Sequence, residues 1–160
     1  MSEPEQETIQ TFPDLPYEDR LIYIAGPFFS SDQQDVIASI ENLLDKREEN
    51  YFSPREYGVI VDDPMTPHRI QRIFDMNVRM IRESNILVAV TDDFDPGTMF
   101  EMGMFHNRWG RFSNAIITYS AKGYGANVMI AQASFTHCRN MDELEHALNG
   151  HIVEDLEVTE

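Results

Sequence analysis

The sequence of 160 residues has few of the residue types that build several common sites. Its single cysteine, Cys138, excludes an internal disulfide and a cysteine-rich zinc centre. The spacing of the five histidines does not match that of metal ligands either. We therefore expect no metal site in this chain.

Positive charge is also scarce, with 12 lysines and arginines against 28 aspartates and glutamates, for a formal net charge of −16. Such a surface repels the phosphates of nucleic acids and the headgroups of anionic lipids. No hydrophobic run approaches the ~20 residues that cross a bilayer. The acidic N-terminus, MSEPEQETIQ, is the opposite of a basic secretory signal peptide. We expect a cytoplasmic protein that binds neither nucleic acid nor membranes.

Hydrophobic residues make up 42% of the chain, which is enough for one packed core. We place a single domain at residues 21–150, between an N-terminal arm at 1–20 and an acidic tail at 151–160. The arm contains three prolines and no hydrophobic periodicity, which is typical of a mobile segment. Phe12, Leu15 and Tyr17 offer the alternative that the arm docks on the domain or on a neighbouring molecule.

Short apolar runs alternate along the chain with stretches in which apolar residues recur at helical spacing. The predicted strands lie at 21–25, 51–52, 85–91, 115–118 and near 135, and the main predicted helices at 36–44, 70–81, 95–109 and 141–149. Strands that alternate with helices predict an α/β fold, a parallel five-stranded sheet with helices on both faces. Ligands bind such sheets at the carboxyl ends of the strands. The loops found there are 25–32, 53–67, 91–98 and 119–129.

Two carboxylates lie at the start of the third predicted helix. Asp95 suits the helix cap, because Pro96 follows at the first helical position. Glu101 lies in a helix that is apolar almost all round, so we expect the helix and the carboxylate to be buried. Burial raises the pKa of a carboxylate, while the positive helix N-terminus favours its ionised form. A partly desolvated carboxylate at a strand's carboxyl end suits nucleophilic catalysis, and an ion pair with a structural arginine is the alternative.

The second predicted helix places an asparagine on its apolar side. On a helical wheel Asn77 lies at the centre of the face that the apolar residues form, whereas Asp75 points away from it. An asparagine facing inward needs hydrogen-bond partners. It either ties down a loop, which the periodicity alone favours, or projects into a pocket at the edge of the sheet.

The first predicted strand ends in Gly26, a proline and two phenylalanines. Phe28 and Phe29 place a flat apolar wall at the carboxyl edge of the sheet, and we expect at least one of them to belong to the core. Because this turn has one glycine and a proline without an N–H, it is not a phosphate-binding loop. Tyr23 in the strand needs a partner for its hydroxyl, and Glu101 is the candidate.

Four segments of the sequence together resemble the nucleoside 2-deoxyribosyltransferase family. They are YIAGPFF at 23–29, FSPRE at 52–56, IFDMNVRMIRESNILVAVTDDFDPGTMFEMG at 73–103 and NVM at 127–129. The third segment is the most specific, because a strand, an acidic turn and a D-x-G-T-x-x-E-x-G helix rarely occur together elsewhere. The resemblance implies a flavodoxin-like, doubly wound parallel sheet, and an enzyme that needs neither metal nor cofactor.

The same resemblance implies roles for individual residues. Glu101 would attack the anomeric carbon of a 2'-deoxynucleoside, Asp95 would hold and protonate the base, and Tyr23 would orient the nucleophile. The deoxyribosyl group would then pass from this covalent intermediate to a free nucleobase. The residues implied in substrate binding are Gly26, Phe28, Phe29, Glu56, Asn77, Asn127 and Met129.

The resemblance also implies a homo-oligomer, because Asn127 would reach the sugar in the site of a neighbouring subunit. A dimer would be the smallest working unit, and family members are often hexamers built from dimers.

In one respect the chain departs from the family pattern. Asn77 and Asn85 stand where the family usually has aspartate. An asparagine can hydrogen-bond a base but cannot exchange a proton, which predicts a changed base preference. Two alternatives to the transferase remain open, an N-glycosidase acting on deoxynucleosides or their 5'-monophosphates and a non-catalytic nucleoside or nucleotide sensor. The two asparagines favour the sensor, whereas the retained Tyr23, Asp95 and Glu101 argue against it.

Overall fold

A computed structural model describes residues 12–58, 64–108, 115–123 and 125–153 of the chain. Parallel strands within these ranges form one five-stranded sheet of order β2-β1-β3-β4-β5. The strands are β1 (Ile22–Ala25), β2 (Tyr51–Phe52), β3 (Ile86–Val90), β4 (Ala115–Tyr119) and β5 (Thr136–Cys138). This is the strand order of flavodoxin-like folds, in agreement with the expected fold class.

Six α-helices connect and follow the strands in the described ranges. They are α1 (Ser31–Lys46), α2 (Pro54–Gly58), α3 (Pro67–Glu83), α4 (Pro96–Arg108), α5 (Val128–Ala133) and α6 (Met141–Leu148). Polar residues cap the N-termini of several of these helices. Ser30 forms a capping box with Gln33 at the start of α1, and Thr66 caps α3 ahead of Pro67. The short helix α2 occupies part of the segment 53–67, where the sequence analysis expects a loop.

The core lies in two layers, one on each face of the sheet. Ile22 and Ile24 of β1 point to the layer that α1 and α6 cover, whereas Tyr23 and Ala25 point to the layer under α3 and α4. This alternation follows from the two-residue period of a strand. Helices on both faces explain why β3 is buried along its whole length, as a central parallel strand should be.

The helices that flank the site are more exposed than the sequence analysis expects. Ile81 of α3 is buried, but Ile70 and Phe74 on the predicted inner face are 53% and 50% exposed. The helix has 17 residues and a length of about 25 Å, whereas β3 spans about 17 Å. The N-terminal turns of α3 therefore extend beyond the sheet. The expectation that α4 is buried all round is also wrong, because Phe100 is 59% exposed.

The described part of the N-terminal arm packs on the domain. The ring of Phe12 lies 5.3 Å from that of Phe135. The guanidinium of Arg20 stacks over Tyr17 at 4.8 Å and forms an ion pair with the buried Glu49 at 3.2 Å. These contacts fit the interpretation that the arm docks on the domain. Residues 1–11 of the predicted arm and residues 154–160 of the predicted tail lie outside the described ranges. Within the described part of the chain, no helix is both long and apolar enough to span a membrane.

Two glycines, one directly after β1 and one in α4, allow a matched test of how tightly the side chains pack around the sheet. A Cβ on Gly26 would lie 2.8 Å from Ile37 Cδ1 and 3.0 Å from Val90 Cβ, whereas a Cβ on Gly103 would have no neighbour within 4 Å. We expect Gly26→Ala to lower the free energy of unfolding by about 1–3 kcal/mol through overpacking. Gly103→Ala should raise it by about 0.5–1 kcal/mol, because glycine disfavours a helix interior. Urea denaturation measures both values, and changes of the same sign would contradict this account.

Candidate active site

A cleft opens at the carboxyl edge of the sheet, where the strand order reverses between β1 and β3. Ligands bind at this switch point in doubly wound folds. The cleft has a volume of about 180 Å³. Its lining residues come from the segments after β1, β2 and β3 and from α3 and α4, and they are Gly26, Phe28, Phe29, Pro54, Ile73, Asn77, Asp95, Gly97, Thr98 and Glu101.

Glu101, in the second turn of α4, is held by a tyrosine from β1, an interior strand of the sheet. The phenol O–H of Tyr23 donates to Glu101 Oε1 at 2.7 Å, as the sequence analysis expects. Tyr23 is fully buried, and the register of β1 with β2 places it beside Phe52, with ring centroids 5.5 Å apart. Packing therefore fixes the direction of the phenol and, through it, the position of the carboxylate.

The surroundings of Glu101 raise its pKa from the usual value of 4.5 to about 7. Burial is the largest cause because it disfavours the charged form, and the nearby Asp95 carboxylate adds to the shift. The hydrogen bond from Tyr23 acts in the opposite direction by stabilising the carboxylate. Burial and the proximity of Glu101 raise the pKa of Tyr23 far above its ordinary value, so the tyrosine remains a donor at neutral pH.

Asp95 caps α4 with one oxygen and lines the cleft. Its Oδ2 accepts hydrogen bonds from Thr98 N at 2.8 Å and from Thr98 Oγ1 at 3.0 Å. Within the described residues no hydrogen bond reaches Oδ1, which leaves this oxygen for a ligand. The predicted cap and the predicted site residue are thus the same carboxylate.

Asn77 lies in the cleft, half-buried, and its amide has no hydrogen bond to another described residue. The sequence left two interpretations of this asparagine. The structure shows that it projects into a pocket, so the prediction that it ties down a loop is wrong. Asn85 instead has a structural role at the opposite edge of the sheet, where its Oδ1 accepts from Leu21 N at 3.0 Å. The two asparagines that depart from the family pattern therefore lie in different parts of the fold.

The aromatic wall lies over the cleft rather than in the core. The rings of Phe28 and Phe29 are stacked with centroids 5.4 Å apart, and Phe29 is 77% exposed. Phe28 is half-buried, and neither ring belongs to the buried core clusters, so the expectation that at least one does is wrong. The turn after β1 places both residues at the cleft, outside the two core layers.

Three residues implied in substrate binding do not line the cleft of this chain. Glu56 lies exposed on α2. Asn127 caps α5, accepting from Met129 N and Ile130 N at 3.1 Å each, and the Met129 side chain is 74% exposed.

Four lining residues were not singled out from the sequence, namely Pro54, Ile73, Gly97 and Thr98. Ile73 lies one helical turn before Asn77 and so shares its face of α3. Thr98 is three residues after the cap residue Asp95, where a capped N–H is expected. Sequence spacing could therefore have predicted both. Pro54 directly follows β2, where the carboxyl-end rule applies.

The arrangement provides two carboxylates and a tyrosine beside an aromatic wall. Glu101 titrates near neutral pH, so it can act as a nucleophile or exchange a proton there. Among the described residues, no group of three histidine, cysteine or acidic side chains is placed to hold a metal ion. The chemistry available from these residues is therefore that of paired carboxylates.

Replacing Tyr23 with phenylalanine should raise the pKa of Glu101 above about 7, because it removes the hydrogen bond that stabilises the carboxylate. An NMR titration of the glutamate side-chain carboxyls measures this shift. Tyr119→Phe is the matched control, since Tyr119 is buried in the opposite core layer. An unchanged or lower pKa in the Tyr23→Phe variant would show that the hydrogen bond does not set the charge of Glu101.

Several solved structures share this fold. The 2-deoxyribosyltransferase of Bacillus psychrosaccharolyticus is 24% identical, with 78% of this chain and 90% of that chain covered and a TM-score of 0.70. The CMP N-glycosidase of Clostridium botulinum is 16% identical, with 82% and 100% covered and a TM-score of 0.54. A conserved protein from Enterococcus faecalis V583 is 19% identical, with 85% and 91% covered and a TM-score of 0.53. At these identities the likeness shows a common fold.

No curated protein sequence matches the chain significantly. The family model described as nucleoside 2-deoxyribosyltransferase matches residues 22–109, which is more than half of the chain and includes Tyr23, Asn77, Asp95 and Glu101. The match points to an enzyme that transfers a glycosyl group, with nucleosides and nucleobases as substrates. The chain belongs to the nucleoside 2-deoxyribosyltransferase family.

Proposed function

We propose that this protein transfers the 2-deoxyribosyl group from one nucleobase to another through a covalent ester on Glu101. The observation that carries the proposal is the 2.7 Å hydrogen bond from Tyr23 to Glu101, at a cleft that also holds Asp95. Membership of the family supports the choice of substrate. The Bacillus psychrosaccharolyticus structure, a 2-deoxyribosyltransferase of the same fold, adds support.

In the first step the ionised Glu101 attacks C1' of a 2'-deoxynucleoside. The bond between C1' and the base nitrogen breaks, and its electron pair leaves with the base. Because deoxyribose lacks the 2'-hydroxyl, positive charge develops on its ring readily, and the carboxylate stabilises that charge before forming the ester. Asp95, whose Oδ1 is available in the cleft, binds the base and passes it a proton.

In the second step the nitrogen of a second base attacks C1' from the side that the first base left. The ester bond breaks and Glu101 recovers its charge, while Asp95 takes back the proton that the attacking nitrogen loses. The sugar keeps its original configuration. Attack by water in place of the base gives hydrolysis. Because Glu101 must be ionised to attack, kcat/KM should fall as the pH drops below about 7.

A second copy of the chain completes the site in this proposal. Asn127 and Met129 lie exposed at the start of α5 and outside their own cleft, where they can reach a neighbouring subunit. The exposed apolar side chains of α3 and α4, among them Phe74 and Phe100, offer a surface for that contact. The working unit is then a dimer, or a hexamer built from three such dimers, in the cytoplasm.

An N-glycosidase is the second candidate function, since the Clostridium botulinum CMP N-glycosidase has the same fold. The cleft argues against a phosphorylated substrate, because its lining contains two carboxylates and no lysine, arginine or histidine among the described residues. Unphosphorylated deoxynucleosides therefore remain the favoured donors.

The decisive assay incubates the protein with deoxyinosine, with and without free adenine, and separates the products by chromatography. We expect deoxyadenosine when adenine is present. Glu101→Gln keeps the size of the side chain but removes the nucleophile, and should lower the rate by a factor of roughly a thousand or more. Undiminished exchange in this variant would contradict the role of Glu101. Equal release of hypoxanthine with and without adenine would favour the hydrolase, and absence of product would favour the sensor.

The base preference should depend on Asn77. An amide can either donate or accept, so it can pair with both 6-amino and 6-oxo purines, whereas a carboxylate repels the oxo group. We expect Asn77→Asp to shift the ratio of kcat/KM for deoxyadenosine over deoxyinosine by roughly tenfold toward deoxyadenosine, a change of about 1.4 kcal/mol. Asn77→Ala is the control and should lower both values without changing their ratio. A constant ratio in the aspartate variant would exclude a role of Asn77 in base choice.

A further inference from the structure

Three loops at the carboxyl edge of the sheet are tied together by side chains that do not line the cleft. Gln33 lies in the first turn of α1, Asp93 in the turn after β3, and Lys122 in the turn after β4. Gln33 Nε2 donates to Asp93 Oδ2 at 3.0 Å, and Lys122 Nζ donates to Asp93 Oδ1 at 2.5 Å. Asp93 is therefore the centre of this network. One of its carboxylate oxygens binds the start of α1, and the other binds the turn after β4.

On one side the network reaches the aromatic wall. Gln33 Oε1 accepts from Phe29 N at 2.9 Å and from Ser30 N at 3.1 Å. The next residue, Gln34, donates from Nε2 to the carbonyl of Phe28 at 3.1 Å. The backbone that carries both rings is thus held by α1, and through Gln33 it is held by Asp93.

On the other side the network fixes a strained turn. Asp93 and Phe94 have φ values of 65° and 47°, a region that residues other than glycine rarely adopt. Asp92, which is buried, anchors the start of this turn by accepting from Ser120 Oγ at 2.6 Å and from Ala121 N at 3.0 Å. Such conformations persist when surrounding contacts over-determine them, and they cluster at functional sites.

Asp95, which faces the cleft, follows this turn directly, so the path of the turn determines where its carboxylate lies. The wall at Phe29 and the carboxylate of Asp95 line the same cleft. In the proposed reaction Asp95 binds the nucleobase, and the exposed ring of Phe29 offers a face on which that base can stack. A network that joins their loops sets the spacing between them.

We propose that Asp93 is a positioning residue of the base subsite, which fixes the distance between the Phe29 wall and Asp95 by holding Gln33 and Lys122. This inference rests on the proposed function. The hydrogen bonds from Gln33 and Lys122 lower the pKa of Asp93 below its usual range, so the carboxylate stays charged at neutral pH. The ion pair is largely exposed, and salt weakens such pairs. High salt should therefore loosen the hold of Asp93 on Lys122.

The experiment measures kcat and KM for free adenine as acceptor, with deoxyinosine as donor, at low and at high salt. We expect Asp93→Ala to raise the KM for adenine roughly tenfold and to change kcat by less than about twofold. In the unmodified protein this KM should rise with salt, whereas in the variant it should not. The pH profile should stay the same, because Glu101 keeps its surroundings.

Asp75→Ala is the matched control. Asp75 is also an exposed carboxylate that accepts a hydrogen bond from a glutamine, Gln71 at 2.8 Å, but it lies on α3 outside the network. This variant should leave kcat, KM and the salt dependence unchanged. Thermal unfolding shows whether either variant is destabilised. A loss of folded protein would lower the apparent kcat and leave KM unchanged, whereas a positioning role of Asp93 raises KM.

An unchanged KM in Asp93→Ala, or an unchanged salt dependence, would overturn the inference even if the transferase reaction is confirmed. If the unmodified protein forms no product, the proposed function fails, and calorimetric titration with adenine then tests Asp93 separately. A roughly tenfold higher Kd in Asp93→Ala would support its positioning role. An equal Kd would overturn it.

Discussion

The hydrogen bond between Tyr23 and Glu101 is the interaction on which the rest of the site depends. It joins the interior strand β1 to the second turn of α4, and so it fixes the carboxylate relative to the sheet. The tyrosine is held in turn by its neighbour Phe52 on β2, with which its ring stacks. The doubly wound sheet thus provides a rigid base for the nucleophile.

The same hydrogen bond opposes the effect of burial on Glu101. Burial and Asp95 raise the pKa of the carboxyl group, and the phenol restrains the rise to about 7. The folded protein therefore binds the proton of Glu101 more tightly than the unfolded chain, whose carboxyl keeps a pKa near 4.5. Stability from this group is present at low pH and is lost as the pH rises from about 4.5 to about 7. Placing a reactive carboxylate in the cleft thus costs the fold some stability at neutral pH.

Local sequence patterns predicted the alternating strands and helices, the cap at Asp95 and the pairing of Tyr23 with Glu101. These features depend on short spacings or on one buried polar group that needs a partner. The exposure of Phe29 and Phe74 was not predictable in this way, because periodicity shows which residues share a face but not where the sheet beneath them ends. The left-handed conformation that leads into Asp95 falls on Asp93 and Phe94 rather than on a glycine. Aspartate tolerates this conformation but phenylalanine does not favour it, so composition alone does not place the turn.

The central claim is that Glu101 carries the sugar between the two half-reactions. Intact-mass spectrometry of the protein after incubation with deoxyinosine, without an acceptor and with acid quenching, tests it most directly. The account predicts a mass increase of one deoxyribosyl group, located by peptide mapping on the segment that contains Glu101 and removed when adenine is added before the quench. An adduct on another residue, or turnover with no adduct under the same conditions, would contradict it.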